Sequence, residues 1–330
     1  MSGAGVRAGI LSGPIARVLA PVSVLALLLA AVVFSPSIGS GLWVRTLHNF
    51  AHGPIFGLVA LTVLLGARQF RAIAALRIAH QYVIAFSAAV LLGALSELAQ
   101  IPSGRDASWL DLGNDVLGAA AFLFVFAAID PLLRPHDPTT RRFGLLFGGI
   151  AAALLLLPFV TTGLAYARRA NGFPELANFT SGVGVGFISR RFAETRIVPL
   201  PAQWAGSPGE KALHIRFLPG SWPGIELNEP PPDWRGWRTL VIDVANPGPD
   251  ELGFMLRIDD RQHNGLHADR YNRPFRVPAG VREKFEIPLR EVEEGPEKRL
   301  LDLAAIDRVL IFRRDESQAE TMYLIGVRLE

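Results

Sequence analysis

Long apolar runs occupy the first half of this chain and leave few options for its fold. Each of five runs has about the 20 residues that an α-helix needs to cross the hydrocarbon core of a bilayer. Because that core offers no partners for backbone polar groups, such runs form helices. The sequence therefore predicts a membrane α-helical bundle over residues 1–167, with spans at about 16–34, 50–67, 81–100, 112–129 and 143–165.

The first apolar run has a second interpretation, because a short stretch with two arginines precedes it, as in a secretory signal peptide. No clear small-x-small cleavage motif follows the run, and the run is long for the apolar part of a signal peptide. We therefore favour an uncleaved first span.

Arginines are unevenly divided between the loops that connect these runs. Loops rich in basic residues stay in the cytoplasm. We therefore expect a multi-pass protein of the bacterial cytoplasmic (inner) membrane, with everything after Ala165 extracytoplasmic. Under five spans, the cytoplasmic set is Arg7, Arg17, Arg68, Arg71, Arg77, Arg134, Arg141 and Arg142, and the opposite set is Arg45, Arg105, Arg168 and Arg169.

Polar residues that a bilayer excludes, unless they face protein or water, interrupt the middle of this apolar region. Glu97 and Gln100 are three residues apart at the end of the third run, so they share a helix face. Asp111 and Asn114 repeat this spacing at the start of the fourth run. The short connection makes these helices antiparallel neighbours, so the four side chains meet at their shared end.

His48 and His52 begin the second run, and Arg105 lies in the loop between the third and fourth runs. The predicted topology places these residues at the same level, so we expect intramembrane polarity to gather at one depth. Gly93 and Gly118, one turn deeper, would let the third and fourth helices approach closely. We define the membrane polar cluster as His52, Glu97, Gln100, Arg105, Asp111 and Asn114.

The same residues resemble the motifs of the VanZ-like membrane family over about residues 48–118. These motifs are His52, Glu97-x-x-Gln100, Arg105, Asp111-x-x-Asn114 and Gly118. The resemblance implies a role in the cell envelope, and the founding member is associated with resistance to the glycopeptide teicoplanin. It implies no known reaction.

The pattern changes after the fifth run. Residues 168–182 contain Asn171-Gly172 and Pro174 and are interpreted as a linker. From about residue 183, short alternating stretches are separated by turn residues, as in Leu213-His214-Ile215-Arg216-Phe217 before Pro219-Gly220. Strands at this spacing predict an all-β jelly-roll sandwich over residues 183–330.

The second domain resembles carbohydrate-binding modules of the galactose-binding-like type. The motifs that carry the resemblance are Trp222-Pro223-Gly224, the segment 233–237 (DWRGW), Ile258-Asp259-Asp260, the segment 269–272 (DRYN) and the closing strand 323–329. The resemblance implies a glycan-binding surface, although this fold also hosts members with other ligands or none.

Aromatic and acidic residues of this domain supply the candidate ligand contacts. Trp222 and Tyr271 are candidates for stacking on a sugar ring. Asp259 and Asp260 are adjacent and therefore alternate faces of a strand, which favours a solvated pair or a turn contact over Ca²⁺ binding. Asp269-Arg270 is most simply an internal ion pair.

Three functions stay open. We favour binding of an envelope glycan, glycolipid or lipid head group at the extracytoplasmic face, and the VanZ-like resemblance implies a link to glycopeptide-type resistance. The alternatives are an enzyme acting on lipid-linked phosphate or glycan at His52, Glu97, Arg105 and Asp111, and a membrane scaffold whose β-domain binds a protein.

Neither nucleic acid nor a cofactor is expected as a ligand. The basic residues flank apolar runs instead of forming a nucleic-acid-binding patch. The chain has no cysteine, which excludes thiolate chemistry and Cys-based metal sites. We expect no cofactor and no metal, and His48 and His52 are only weak candidates for metal ligands.

Overall fold

The computed structural model describes residues 14–33, 41–101, 108–133, 138–314 and 320–330. The chain divides into two compact units, Met1–Thr161 and Thr162–Glu330. The first is helical and the second is built around two antiparallel sheets. The predicted fold class, a membrane-type helical bundle with an all-β sandwich, is confirmed.

Six helices begin in the first unit: α1 (Pro14–Val33), α2 (Leu42–Ala67), α3 (Arg71–Ala74), α4 (Ile78–Gln100), α5 (Trp109–Ala127) and α6 (Pro138–Gly172). Among the described residues, α2, α4, α5 and α6 are long and apolar enough to cross a membrane. The apolar segment found in α1, Ala20–Ala30, is shorter than a span. Four helices therefore meet the requirement within the described residues, and the predicted first span at about 16–34 stays a prediction.

Two helix boundaries differ from the sequence prediction. Helix α2 begins at Leu42, about two turns before the predicted start, so His48 and His52 lie well inside it. Helix α6 continues to Gly172 and therefore includes Arg168 and Arg169, which the sequence assigns to a linker. Both arginines are good helix formers, and a charged terminal turn outside an apolar run carries no hydropathy signal.

Helices α2 and α5 touch through two glycines. A Cβ added to Gly118 would lie 1.9 Å from the carbonyl oxygen of Gly53. Phe56, Val59 and Ala60, along α2, are fully buried in the core of this unit. The sequence predicts that Gly118 packs against the third apolar run; the structure instead places it against α2, because α5 contacts two neighbours and its glycine faces the nearer one.

A second polar network joins the opposite ends of the same helices. Asp130, after α5, accepts hydrogen bonds from Arg68 (2.7 Å) and from the Tyr82 hydroxyl (2.8 Å). Arg68 also donates to Gln81. Arg68 lies 16 residues after His52 on α2, which is about 24 Å along a helix. Polar residues therefore also meet at the opposite ends of these helices, in addition to the predicted membrane polar cluster.

The second unit is a sandwich of two antiparallel sheets. The first sheet comprises β1 (Glu175–Asn178), β3 (Ala193–Pro199), β4 (Lys211–Phe217), β6 (Thr239–Ala245), β9 (Arg282–Pro288) and β11 (Glu320–Leu329). Its strand order is β3-β4-β11-β6-β9, and β1 also pairs with β11. The second sheet has the order β2-β5-β10-β7-β8, from β2 (Ile188–Arg191), β5 (Gly224–Asn228), β7 (Leu252–Asp260), β8 (Tyr271–Val277) and β10 (Ile306–Phe312). A short helix, α7 (Leu289–Glu293), follows β9.

The sandwich begins earlier than the sequence suggests. Strand β1 lies within residues 168–182, the predicted linker, and pairs with β11. Its Leu176 and Ala177 are buried in the core between the sheets, together with Trp234, which is fully buried. Four residues are too few to display the period-two alternation that identifies a strand in a sequence.

Substitution of Gly118 tests the close approach of α2 and α5. Gly118→Ala places a methyl group against backbone atoms that no side-chain rotation can move away, so we expect the free energy of unfolding to fall by about 1–3 kcal/mol. Thermal unfolding of the full chain in detergent measures the change.

Gly113→Ala is the matched control on the same helix, because a Cβ there meets no atom within 4 Å. Alanine is the better helix former by up to about 1 kcal/mol, so this variant should be unchanged or slightly more stable. Equal unfolding temperatures for the two variants would contradict the packing described here.

Candidate functional site

Three helices bring a histidine and two carboxylates together in the first unit. His52 on α2, Glu97 on α4 and Asp115 on α5 are all buried. His52 Nδ1 lies 3.1 Å from Asp115 Oδ1. One potential ligand atom from each of the three residues lies within 4.8 Å of the other two. The group therefore combines an imidazole with two carboxyl groups inside an apolar bundle.

Glu97 is held in place by the start of α5. Its Oε2 accepts a hydrogen bond from the backbone N–H of Ser108 (2.8 Å), and its Oε1 accepts one from Gln100 Nε2 (3.5 Å). Ser108 in turn caps α5 by accepting from the backbone N–H of Asp111 (3.2 Å). The carboxylate of Glu97 therefore has a fixed orientation.

The remaining residues of the membrane polar cluster have separate roles. Asn114 donates to the backbone carbonyl of Asn49 on α2 (3.1 Å). Asp111 is half-buried, and its Oδ1 has no hydrogen-bond partner among the described residues. The ring of His48 lies 6.0 Å from that of His52. Arg105 lies outside the described residues.

Asp115 is the member of the group that the sequence analysis missed. It is 1 % exposed, and its carboxylate lies between His52 and Gly93, where a Cβ on the glycine would be 2.7 Å from Asp115 Oδ2. Asp111 and Asp115 are four residues apart, which is also a shared helix face. That spacing is a signal for Asp115, whereas the three-residue spacing predicts only Asp111 and Asn114.

A second candidate site is a cleft of about 490 Å³ on the second sheet. Arg308, Leu310 and Phe312 of β10 line it, and they alternate with Val309 and Ile311, which are buried in the core. The cleft therefore lies on the face of the sheet that points away from the core. Its polar and aromatic lining includes Ser189, Arg190, Arg191, Trp222, Glu226, Arg257, His267, Arg270, Asn272, Arg308, Phe312 and Arg314.

The cleft is strongly cationic, since six arginines and one glutamate are among its lining residues. Arg257 is neutralised by a bidentate pair with the buried Asp259, at 2.8 and 2.6 Å. Arg308 also contacts Asp259 (3.3 Å). Arg270 has no ion-pair partner among the described residues, and both burial and the neighbouring Arg257 lower its pKa. The site therefore holds positive charge that its own side chains do not balance.

Three buried donors of the cleft make no hydrogen bond within the described part of the chain, namely Arg270 Nε, Asn272 Nδ2 and Arg308 Nε. Arg308 Nε lies 3.2 Å from the carboxylate of Asp307, whereas Arg270 Nε and Asn272 Nδ2 have no described acceptor. Asp269 pairs with Arg299 (2.6 Å), so the predicted Asp269–Arg270 ion pair is wrong. Arg299 reaches Asp269 from the loop after α7, and this leaves the guanidinium of Arg270 in the cleft.

The two predicted stacking residues differ in exposure. Trp222 is 47 % exposed at the cleft, and its ring stands edge-on to Phe312 at 5.8 Å. Tyr271 is only 3 % exposed, and its hydroxyl donates to Glu291 (2.7 Å). Tyr271 starts β8 with its ring in the core, so it offers no face to a sugar.

No family model and no curated protein matches this chain. The resemblance to the VanZ-like family therefore stays a prediction.

Solved structures similar to the β-sandwich include a family 11 carbohydrate-binding module from Clostridium thermocellum in complex with a β-1,3-1,4-mixed-linked tetrasaccharide (17 % identity, TM-score 0.32, 43 % of this chain and 88 % of that one). A xylan-binding domain of family 22 is also similar (15 %, 0.32, 46 % and 90 %). An exo-β-agarase shares 16 % identity with a TM-score of 0.35, over 44 % of this chain and 23 % of its own length. These likenesses concern the fold alone.

Asp260 provides a test of the ion pairs that surround the cleft. Burial raises its pKa, but hydrogen bonds from Arg299 and from the backbone N–H of Asp302 outweigh burial and hold the pKa below its usual range. Its stabilising contribution is therefore complete above the ordinary pKa of an aspartate, about 4, and is lost as the pH falls through the lower folded-state value. We expect Asp260→Asn to lower the free energy of unfolding by about 3 kcal/mol at pH 7, because the substitution leaves Arg299 partly unpaired.

The loss of unfolding free energy should narrow as the pH falls below about 4, because Asp260 of the unfolded wild-type chain then takes up a proton, and it should disappear only below the lower folded-state pKa. Denaturant unfolding of the full chain at pH 7 and pH 3 measures both effects. Asp233→Asn is the control, because Asp233 pairs with Arg235 on the exposed surface and such pairs contribute little. If Asp260→Asn lowers the free energy of unfolding by the same amount at pH 7 and pH 3, the stabilisation does not come from an ionised Asp260.

Proposed function

We propose that the β-sandwich binds an anionic glycan in the cleft of its second sheet. The observation that carries this proposal is the pair of buried donors without acceptors, Arg270 Nε and Asn272 Nδ2, in a cleft lined by arginines beside an exposed tryptophan. A buried donor without an acceptor costs about 1–3 kcal/mol, and a ligand oxygen at that point removes the cost.

The charge of the cleft selects the class of glycan. A guanidinium donates two parallel hydrogen bonds to a carboxylate or sulfate, and such charge-assisted bonds are about twice as strong as neutral ones. Arg190, Arg191 and Arg314 are exposed at the cleft and make no ion pair with another described residue. A glycan that carries uronate or sulfate groups fits this lining better than a neutral one.

Trp222 supplies the apolar part of the contact. Its indole is nearly half exposed, and Phe312 supports it from the sheet. Ligand sites combine apolar or aromatic surface with a few polar groups that fix orientation. A sugar ring on Trp222 would bring its substituents toward the arginines that share the cleft.

The helical unit is proposed to hold this domain at the extracytoplasmic face of a bacterial cytoplasmic membrane. Four helices have the length and apolarity of spans, and the arginine distribution favours this orientation. On the VanZ-like resemblance, the membrane polar cluster would engage a lipid or glycolipid head group, with a link to glycopeptide resistance. The motifs His52, Glu97-x-x-Gln100 and Asp111-x-x-Asn114 support this part of the proposal.

A second candidate function is catalysis at the membrane polar cluster. Asp115 orients the imidazole of His52 through Nδ1, which leaves Nε2 to accept a proton. Pairs of this type serve as general bases, so an enzyme acting on lipid-linked phosphate or glycan stays an alternative. A scaffold whose β-domain binds a protein is the other.

The glycan proposal is tested by calorimetry on the full chain in nanodiscs. The probes are an oligogalacturonate, a sulfated oligosaccharide and a neutral cello-oligosaccharide of matched length. We expect an acidic probe to bind best, and both Arg270→Gln and Trp222→Ala to weaken its binding at least tenfold, since charged hydrogen bonds contribute about 1.5–3 kcal/mol. Arg276→Gln, an exposed arginine outside the cleft, should bind as the wild type does.

Salt provides a further check, because binding that depends on exposed charges weakens as ionic strength rises. Equal affinity for the neutral probe would remove the charge-based part of the proposal. If no glycan binds while the chain captures a specific envelope protein, the scaffold function replaces it.

A further inference from the structure

His52, Glu97 and Asp115 form a compact group of potential metal ligands inside the helical unit. They come from three different helices, are each at most 5 % exposed, and present ligand atoms within 4.8 Å of one another. The group is separate from the β-sandwich cleft in both sequence and chemistry. Its geometry raises the question of what the three side chains hold.

The charges of this group do not balance among the described residues. Glu97 and Asp111 both lie close enough to His52 to interact with it electrostatically, and Asp115 contacts it directly. No lysine or arginine in the described part of the chain forms an ion pair with these three acids. Carboxylates without a basic partner are strongly disfavoured in an apolar environment unless a cation accompanies them.

One oxygen of this group and one oxygen of the neighbouring Asp111 also lack hydrogen-bond partners. Asp115 Oδ2 and Asp111 Oδ1 are buried, and no donor within the described residues reaches either atom. Gly93 leaves room for Asp115, since a Cβ there would approach Oδ2 to 2.7 Å. An interhelical lock between His52 and Asp115 would explain one oxygen of Asp115, but neither the unpartnered oxygens nor the third ligand atom, from Glu97.

We propose that His52, Glu97 and Asp115 bind a divalent transition-metal ion. The distance from His52 Nδ1 to Asp115 Oδ1, 3.1 Å, is close to the separation of about 3.3 Å between two ligand atoms in a tetrahedral site with 2.0–2.1 Å bonds. With His52 neutral, as a metal-bound imidazole must be, the two ligand carboxylates of Glu97 and Asp115 carry a charge of −2, which a dication balances. Asp111, with its unpartnered oxygen, is the nearest candidate for a further ligand.

The donor set selects the kind of metal. One imidazole nitrogen with two carboxylates suits Zn²⁺, Mn²⁺ or Fe²⁺, whereas Ca²⁺ and Mg²⁺ prefer oxygen ligands alone. Three protein ligands leave a coordination position open, as in catalytic zinc sites, whereas structural zinc sites use four protein ligands. The ion therefore has room for water or for an oxygen of a ligand.

Metal content of the purified protein tests the proposal. The full chain in detergent is treated with EDTA, incubated separately with Zn²⁺, Mn²⁺ or Fe²⁺, desalted and analysed by mass spectrometry of the metals. We expect about one ion per chain for at least one metal, and less than a tenth of that in His52→Ala and Asp115→Asn. Asp130→Asn, a buried acid at the opposite helix ends, should keep the ion.

Measurements on the unsubstituted protein keep the proposal falsifiable if the variants do not fold. X-ray absorption of the bound metal should show nitrogen and oxygen ligands that include imidazole, and metal should raise the unfolding temperature of EDTA-treated protein. No stoichiometric ion with any of the three metals, or an ion retained in both variants, overturns the proposal. EDTA treatment should leave glycan binding by the β-sandwich unchanged. The metal-binding experiment and the glycan-binding experiment can therefore fail independently of each other.

Discussion

The contact between Gly53 and Gly118 is the constraint on which the helical unit depends. Because Gly118 has no side chain, its backbone on α5 meets the backbone of Gly53 on α2 directly. Gly53 follows His52 and Gly118 lies three residues after Asp115, so the same contact brings the imidazole to 3.1 Å from the carboxylate. A larger residue at Gly118 would separate the helices and, with them, the two groups. Packing and site chemistry are therefore one feature of this bundle.

Charged groups in the β-sandwich fall into two kinds. Some arginines serve as internal clamps: Arg299 joins Asp260 to Asp269, and Arg282 joins Asp243 to Glu210. These pairs tie loops to strands and balance four acids of the domain. The arginines of the cleft are in excess of the acids near them, and the half-buried Arg270 is the clearest case because its buried Nε has no described acceptor. Excess charge at a partly buried position opposes stability, which favours a role in ligand binding.

The sequence predicts elements better than it predicts which faces meet. Hydropathy locates the long helices, and alternation locates seven strands, because both signals repeat within one segment. The sequence predicts that Gly118 packs against α4, whereas it packs against α2. The spacing of residues on one helix face does not identify which of two adjacent helices that face contacts. Strand β1 is too short to show alternation. The sequence predicts an ion pair between Arg270 and its neighbour Asp269, whereas Asp269 pairs with Arg299, 30 residues away. Contacts of this length depend on tertiary structure.

The two candidate sites have opposite electrostatic preferences, and this bears on the proposed functions. The cleft has excess arginines and suits an anionic ligand. Among the described residues, the carboxylates around His52 have no basic partner, so these acids repel a phosphate or carboxylate head group unless a cation accompanies them. Direct binding of an anionic head group by these acids is therefore disfavoured. A bound dication reverses the local charge. Whether this group engages an anionic lipid or a lipid-linked phosphate thus depends on the proposed metal ion, while glycan binding in the cleft does not.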